Sequence, residues 1–464
     1  MSEFDDIRPY NDSEVPAVIA RLIASPEFID LLLSRRAPLL AKVFPWLMRP
    51  LLRRALSKAA KNIHTVADLQ RYLTVSLKAL IDKTTDGFSF SGAEKLDPTK
   101  SYLFLSNHRD IAMDPAMVNL ALIESGMDTL RIAIGDNLLS KPFASDLMRV
   151  NRSFIVKRNI SGRREKLTEL KKLSGYIRHS IAQEGVSIWI AQREGRAKDG
   201  QDRTETALLK MLALSKDKEQ SFAQAIGELS IVPVSISYEY DPCDVDKGRE
   251  LFAKQNGREY IKDEFEDLDT IQKGLVGYKG RVHVAFGQAF NYELDSEIGS
   301  EIGSQLNEQL ENADKLAAAI DQQVYSQYKL FPSNIIAYQM LGKTDGLERV
   351  KQLWPDCDWF DVEATFNSQL NAAPRNYRDI MTQSYAAPNP PFAAPFRVGD
   401  TSPPRTPRRT SAKDVEQTIS CQMSSAAPWQ ISACFNQASR ARRVSRTSRS
   451  VPSKTALRDF HKVA

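Results

Sequence analysis

One histidine and two aspartates stand close together in the stretch YLFLSNHRDIAMDP, residues 102–115, where His108, Asp110 and Asp114 follow a run of apolar and aromatic residues. A neutral imidazole accepts a proton near neutral pH, because its unperturbed pKa is about 6.5, and a neighbouring carboxylate can hold the ring and stabilise the imidazolium. The same residues also suit a loop histidine followed by a helix cap, or one His and two carboxylates around a divalent ion in a metal-dependent hydrolase. Three later stretches add polar residues at the ends of apolar runs. SFIVKR closes on Lys157 and Arg158, and SIWIAQREGRAKDG runs into Arg193, Glu194, Gly195, Arg196 and Lys198. A glycine among cations permits close approach of an anion, and Arg offers a forked donor set for phosphate, although a solvated charged loop has the same composition. In SIVPVSISYEY, Pro233 interrupts an apolar strand, which points to a sheet edge or a bulge.

These residues need elements to position them. YLFLS reads as a short buried strand, and Asp114-Pro115 as a helix start, with Asp capping the free amides and Pro in the first helical position. His108, Asp110 and Asp114 then sit at the carboxyl end of a strand, where open α/β sheets gather their active sites. From Gly87 onward, β-type runs at 88–90, 102–106, 130–135, 153–157, 186–191, 231–237 and 281–286 alternate with helices near 116–125, 163–183, 204–214 and 222–229. That alternation predicts an α/β domain with a mostly parallel sheet flanked by helices. Residues 244–276 read as an inserted surface helix. The predicted organisation is an N-terminal helical, possibly membrane-contacting region (1–85), the α/β domain (86–292), a C-terminal helical region (293–386) and a tail (387–464).

In order and spacing, NHRDIAMDP, SFIVKR, REGRAKDG and IVPVSISYE resemble the glycerolipid acyltransferases, the family of bacterial glycerol-3-phosphate and 1-acylglycerol-3-phosphate acyltransferases. The resemblance covers the α/β domain. It implies transfer of a fatty acyl group from acyl-CoA or acyl carrier protein to a hydroxyl of a glycerol phosphate or lysophospholipid, as in phospholipid biosynthesis. No cofactor and no metal are implied beyond the thioester co-substrate. By the same resemblance His108 is the general base, Asp114 orients it, and Arg158, Glu194 and Arg196, with Lys157, Gly195 and Lys198 nearby, hold the acceptor phosphate or the donor. Five residues separate His108 from Asp114 where the family has four, so either the loop bulges or Asp110 takes the orienting role. A non-catalytic lipid- or anion-binding protein is the competing reading.

Composition sets the outer bounds. The chain has 464 residues, 42% hydrophobic and 26% charged, enough for a sizeable core. Its net charge of +5 is unevenly placed: residues 388–464 carry 13 Lys+Arg against 4 Asp+Glu, a net of +9, which leaves −4 for residues 1–387. The tail is rich in Pro, Ser and Arg without a sustained period and is expected to be disordered. Four scattered cysteines, Cys243, Cys357, Cys421 and Cys434, lack CxxC spacing and argue against a disulfide framework or structural zinc. The acidic start MSEFDDIRPYND has no apolar signal core, and no run approaches the roughly 20 apolar residues of a membrane span. A cytoplasmic protein follows, peripherally associated with the inner face of the membrane through the Arg-flanked Trp46 segment, which equally suits a core-packed helix. No specific nucleic-acid partner is expected.

Overall fold

A computed structural model describes residues 3–36, 42–139, 141–158, 160–263, 266–290 and 309–388. The expected disordered tail lies outside the described residues beyond 388. Two compact units divide the described chain, one made of residues 3–18 and 63–388 and the other of residues 19–62.

Helix α1 (Val15–Ala24) runs across the boundary between the units, and the smaller unit continues with α2 (Pro26–Arg36) and α3 (Pro45–Ala59). The helical stretch breaks at Ser25, and Pro26 opens α2; Pro45 likewise occupies the first turn of α3, where its missing N–H costs nothing. Arg49 on α3 grips Asp30 on α2 with two donors, Nε at 2.7 Å and Nη2 at 2.8 Å. Around the start of α3, Val43, Phe44, Trp46, Leu47 and Leu51 remain exposed, Trp46 to 72%.

In the larger unit, α4 (Val66–Thr84) begins at a capping box, with Thr65 Oγ1 accepting from the Asp68 amide and Asp68 accepting from the Thr65 amide. The α/β region then runs through β1 (Gly87–Ser91), β2 (Leu103–Ser106), α5 (Met113–Glu124), β3 (Arg131–Gly135), α6 (Pro142–Val150), β4 (Ser153–Val156) and α7 (Arg163–Ala182). It continues with β5 (Ile188–Ala191), α8 (Thr206–Leu212), α9 (Phe222–Gly227), β6 (Ile231–Tyr238), α10 (Asp244–Gln255), α11 (Glu266–Val276) and β7 (Arg281–Phe286). The strands form one sheet in the order β1-β7-β6-β2-β5-β3-β4, parallel at every pairing except β6 with β7. Each of the seven expected apolar runs thus forms a strand.

Strand β2 is central and buried along its length, which is why it reads as an unbroken apolar run. Its alternate side chains feed two cores. Leu103 and Leu105 join Ile177, Leu209 and Leu316 on one face, while Phe104 joins Met117, Trp189, Val234 and Phe286 on the other. The described residues close with α12 (Ala313–Gln327), α13 (Pro332–Met340), α14 (Leu347–Lys351), α15 (Trp359–Ala372) and α16 (Arg375–Ala386). A third core of Ile336, Ala337, Phe366, Leu370, Met381 and Tyr385 packs α13, α15 and α16 together with Tyr240 just beyond β6.

Two expectations require correction. Pro233 lies in an interior strand, not at an edge, and of the two expected alternatives the ladder beside it shows the irregular one: Val234 pairs with Phe286 and Ile231 with Phe290, so residues 287–289 carry one residue more than the 232–233 they face. Within this irregular stretch the Pro233 carbonyl accepts from the Gly287 amide. Residues 244–276 are not a surface insertion but two helices, and α10 buries Asp244, Lys247, Gly248 and Glu250. A side chain at Gly248 would press on Tyr377 and Met381 of α16, so its charged sequence reflects paired buried charges rather than solvent exposure.

Candidate active site

Strand β2 ends in Asn107, whose side-chain amide extends the sheet in place of backbone: Oδ1 accepts from the Ile236 amide at 2.7 Å and Nδ2 donates to the Ile236 carbonyl at 3.0 Å. Locked this way, the chain turns into the loop 108–112 at the carboxyl end of the strand. His108 Nδ1–H donates to Asp114 Oδ2 at 2.9 Å, and the side chain of His108 is 13% exposed while that of Asp114 is fully buried. With Nδ1 engaged, the other ring nitrogen, Nε2, is directed away from the carboxylate. Trp189 of β5 stands edge-on to the imidazole with ring centroids 5.4 Å apart.

The two aspartates exchange the roles expected from a simple helix start. Asp114 does not cap α5. Its Oδ2 also accepts from the amides of Arg109, at 2.6 Å, and Asp110, at 2.9 Å, which wraps the histidine loop around one carboxylate oxygen. Asp110 caps instead, with Oδ1 taking the Ala112 and Met113 amides at 2.9 and 2.8 Å. The extra residue between His108 and Asp114 is accommodated by this wrap, and the ring bonds to Asp114. The other oxygen of Asp110 packs against Gly274 of α11, where any Cβ would clash with it.

Electrostatics separate the two acids as the geometry does. Burial pushes the Asp114 carboxyl upward, but hydrogen bonds from His108, the loop amides and Tyr238 outweigh it and hold the group below the usual carboxylate range. Burial, reinforced by the charge of Asp114, raises Asp110. Tyr238 donates its O–H to Asp114 Oδ1 at 2.7 Å, and burial beside these acids drives its own pKa well up. His108, Asp114 and Tyr238 therefore form one continuous relay.

The later polar stretches converge in part. Arg158 leaves β4 and reaches Glu194 beyond β5, Nη1 to Oε1 at 3.5 Å, across Gly135, where a Cβ would collide with the guanidinium. Gly195 takes φ +74°, a conformation that favours glycine, and an adjacent nitrogen of Arg196, Nη1, is buried without a hydrogen-bond partner. Lys157 and Lys198 are engaged elsewhere. Lys157 pairs with Asp6 at 2.7 Å and Glu169 at 3.0 Å, and Lys198 pairs with Glu250 of α10. A cavity bordered by Arg109, Lys198, Asp241, Lys247, Tyr328 and Tyr385 lies beside the histidine loop. Among the described residues, no three His, Cys, Asp or Glu side chains converge to hold a metal ion.

Sequence reading missed Tyr238, although a signal was present. Period-two alternation from Val232 through Val234 and Ile236 carries Tyr238 to the same face of β6, and that face joins the core containing Trp189. It also missed Asp202 and Lys247, whose partners lie 93 and 138 residues away along the chain.

The structure is thus that of an α/β protein whose mostly parallel sheet carries a hydrogen-bonded His–Asp pair at the carboxyl end of its central strand. Residues 87–237, reaching from β1 into β6 and covering the first three polar stretches and most of the fourth, match the family model described as Acyltransferase. The crystal structure of the 1-acyl-sn-glycerophosphate (LPA) acyltransferase PlsC from Thermotoga maritima is similar at 15% identity and a TM-score of 0.28, over 65% of this chain and 98% of that one. It is the family model rather than this superposition that supports the assignment. No curated protein matches.

Proposed function

We propose that this acyltransferase moves a fatty acyl group from acyl-CoA or acyl carrier protein to a hydroxyl of a glycerol phosphate or lysophospholipid, with His108 as general base. The observation that carries the reading is the His108–Asp114 hydrogen bond inside the acyltransferase-matched region. Nε2 takes the hydroxyl proton as the oxygen attacks the thioester carbonyl, and the imidazolium returns that proton to the departing thiolate. Asp114 fixes the ring with Nδ1 protonated and stabilises the cation formed, so no covalent nucleophile is required. Arg158, Glu194 and Arg196 supply the anchor for the acceptor phosphate, with Gly195 letting it approach the backbone.

The exposed Val43, Phe44, Trp46, Leu47 and Leu51, with Arg49, Arg53, Arg54 and Lys58 on the same segment, favour peripheral attachment to an anionic membrane surface. Among the described residues no helix is long and apolar enough to cross a membrane. Incubating the full chain with a labelled long-chain acyl thioester and a panel of glycerol phosphates and lysophospholipids tests the reading. Label should move to a phosphorylated acceptor with release of free thiol. Release of free fatty acid alone, independent of any acceptor, would overturn it.

A further inference from the structure

Asp202 lies in the loop that follows the Glu194–Lys198 stretch, fully buried, and its position is unusual in gathering both neighbours of His108 onto one oxygen. Oδ2 accepts from Asn107 Nδ2 at 3.0 Å and from Arg109 Nη2 at 2.6 Å. Arg109 also donates to the carbonyls of Gly200, at 3.1 Å, and Ala197, at 3.4 Å. The Ala197 amide in turn donates to the His108 carbonyl at 2.8 Å. The histidine loop and the loop carrying Glu194 and Arg196 are thus stitched along their length, with the carboxylate of Asp202 at the centre.

The stitch is braced from outside the acyltransferase-matched residues. The Asp202 amide donates to the hydroxyl of Tyr325 on α12 at 2.9 Å, and Asp321 on the same helix accepts from both the amide and the hydroxyl of Thr204. The guanidinium of Arg109 lies 5.7 Å from the ring centre of Tyr328, directly after that helix. Gly200, at φ +74°, lets the loop press against the Ser384 carbonyl of α16, where any side chain would collide. Lys247 of α10 fastens the Arg109 carbonyl at 2.7 Å.

We propose that Asp202 is a positioning residue for acyl transfer: acting through Asn107 and Arg109, it fixes the distance between the base His108 and the phosphate-anchoring residues around Arg196, with α12 as its support. This rests on the acyltransferase reading above. The physical reason is registration. A base on one loop and an anion anchor on another serve one substrate only if the two loops move together, and a misplacement of about 1 Å costs on the order of 100-fold in rate. It also gives the C-terminal helices a part in the reaction.

The test compares the full-length wild type with Asp202→Asn, Tyr325→Phe and His108→Ala, using a long-chain acyl thioester and the best phosphorylated acceptor, with folding followed by circular dichroism. Asp202→Asn keeps the shape and removes the charge. It should lower kcat by about 100-fold and raise the acceptor KM several-fold while leaving the thioester KM within about twofold. Tyr325→Phe, which deletes a single oxygen, should move both parameters the same way by a smaller factor and serves alone if Asp202→Asn does not fold. A merely structural role lowers melting temperature without moving the acceptor KM, which does not depend on the amount of active protein. Values of kcat and acceptor KM within about twofold of wild type in the folded variants, with His108→Ala inactive, would overturn the positioning role alone. A wild type inactive with every acceptor, or an undiminished His108→Ala, would overturn the acyltransferase reading and this inference with it.

Discussion

Replacing Tyr238 with phenylalanine deletes one oxygen from the buried relay and leaves the ring in place. The lost contact is a hydrogen bond of 2.7 Å to Asp114 Oδ1, and the carboxylate it serves has no solvent exposure to make good the loss. A hydrogen bond to a charged group contributes about 1.5–3 kcal/mol, so Tyr238→Phe should be less stable than wild type by about 2 kcal/mol at pH 7. The pH dependence follows from the sign of the shift. Asp114 titrates lower in the folded protein than in the unfolded chain, so its contribution is fully present above the unfolded value of about 3.9 and is lost as pH falls through the folded value. Tyr238 is one cause of that lowering, and without it Asp114 moves back up. Urea unfolding at pH 7 and again near pH 3 should show a deficit that shrinks at the lower pH with an unchanged slope. Converted to rate, the same 2 kcal/mol limits the loss of kcat to about 30-fold. Equal midpoints at pH 7, or a deficit independent of pH, would refute the relay.

The two acids of the loop should separate in function. Asp114→Asn should reduce kcat by at least about 100-fold, because the ring loses its orienting carboxylate, whereas Asp110→Asn, which can still accept from the Ala112 and Met113 amides, should stay within several-fold; steady-state kinetics of the two variants decide it. Asp244 is pushed up to about 6, first by burial and then by Asp241. Its folded pKa exceeds the unfolded one, so stability falls as pH rises from about 4 to 6, by about 3 kcal/mol from this group, and Asp244→Asn should remove most of that decline in a pH series of unfolding curves.

Much of the fold was legible because the central strands are buried on both faces. β2, β5 and β6 are then nearly unbroken apolar runs, and the helices between the strands keep their own period. The site was legible where one stretch carries its own geometry, as His108 and Asp114 do. It was not legible where a partner comes from a distant element. Asp110 and Asp114 are equivalent as letters, and only the wrap of the loop amides around Asp114 and the packing of Gly274 against Asp110 assign them. Lys157 and Lys198 resemble free cations in sequence, yet Asp6, Glu169 and Glu250 occupy them. Pro233 left an edge and a bulge equally open because the sequence does not show that the stretch after β7 carries one extra residue where it faces Pro233. The charged stretch 244–276 looked like solvent-facing helix because pairing between buried charges leaves no mark on composition.

The role of His108 as the base for transfer to a hydroxyl is tested most directly by measuring acyl transfer from a labelled long-chain thioester by His108→Ala, with its fold checked by circular dichroism and unfolding. His108→Ala should stay folded while its transfer falls by at least about 100-fold. A folded His108→Ala protein that transfers at the wild-type rate would contradict it.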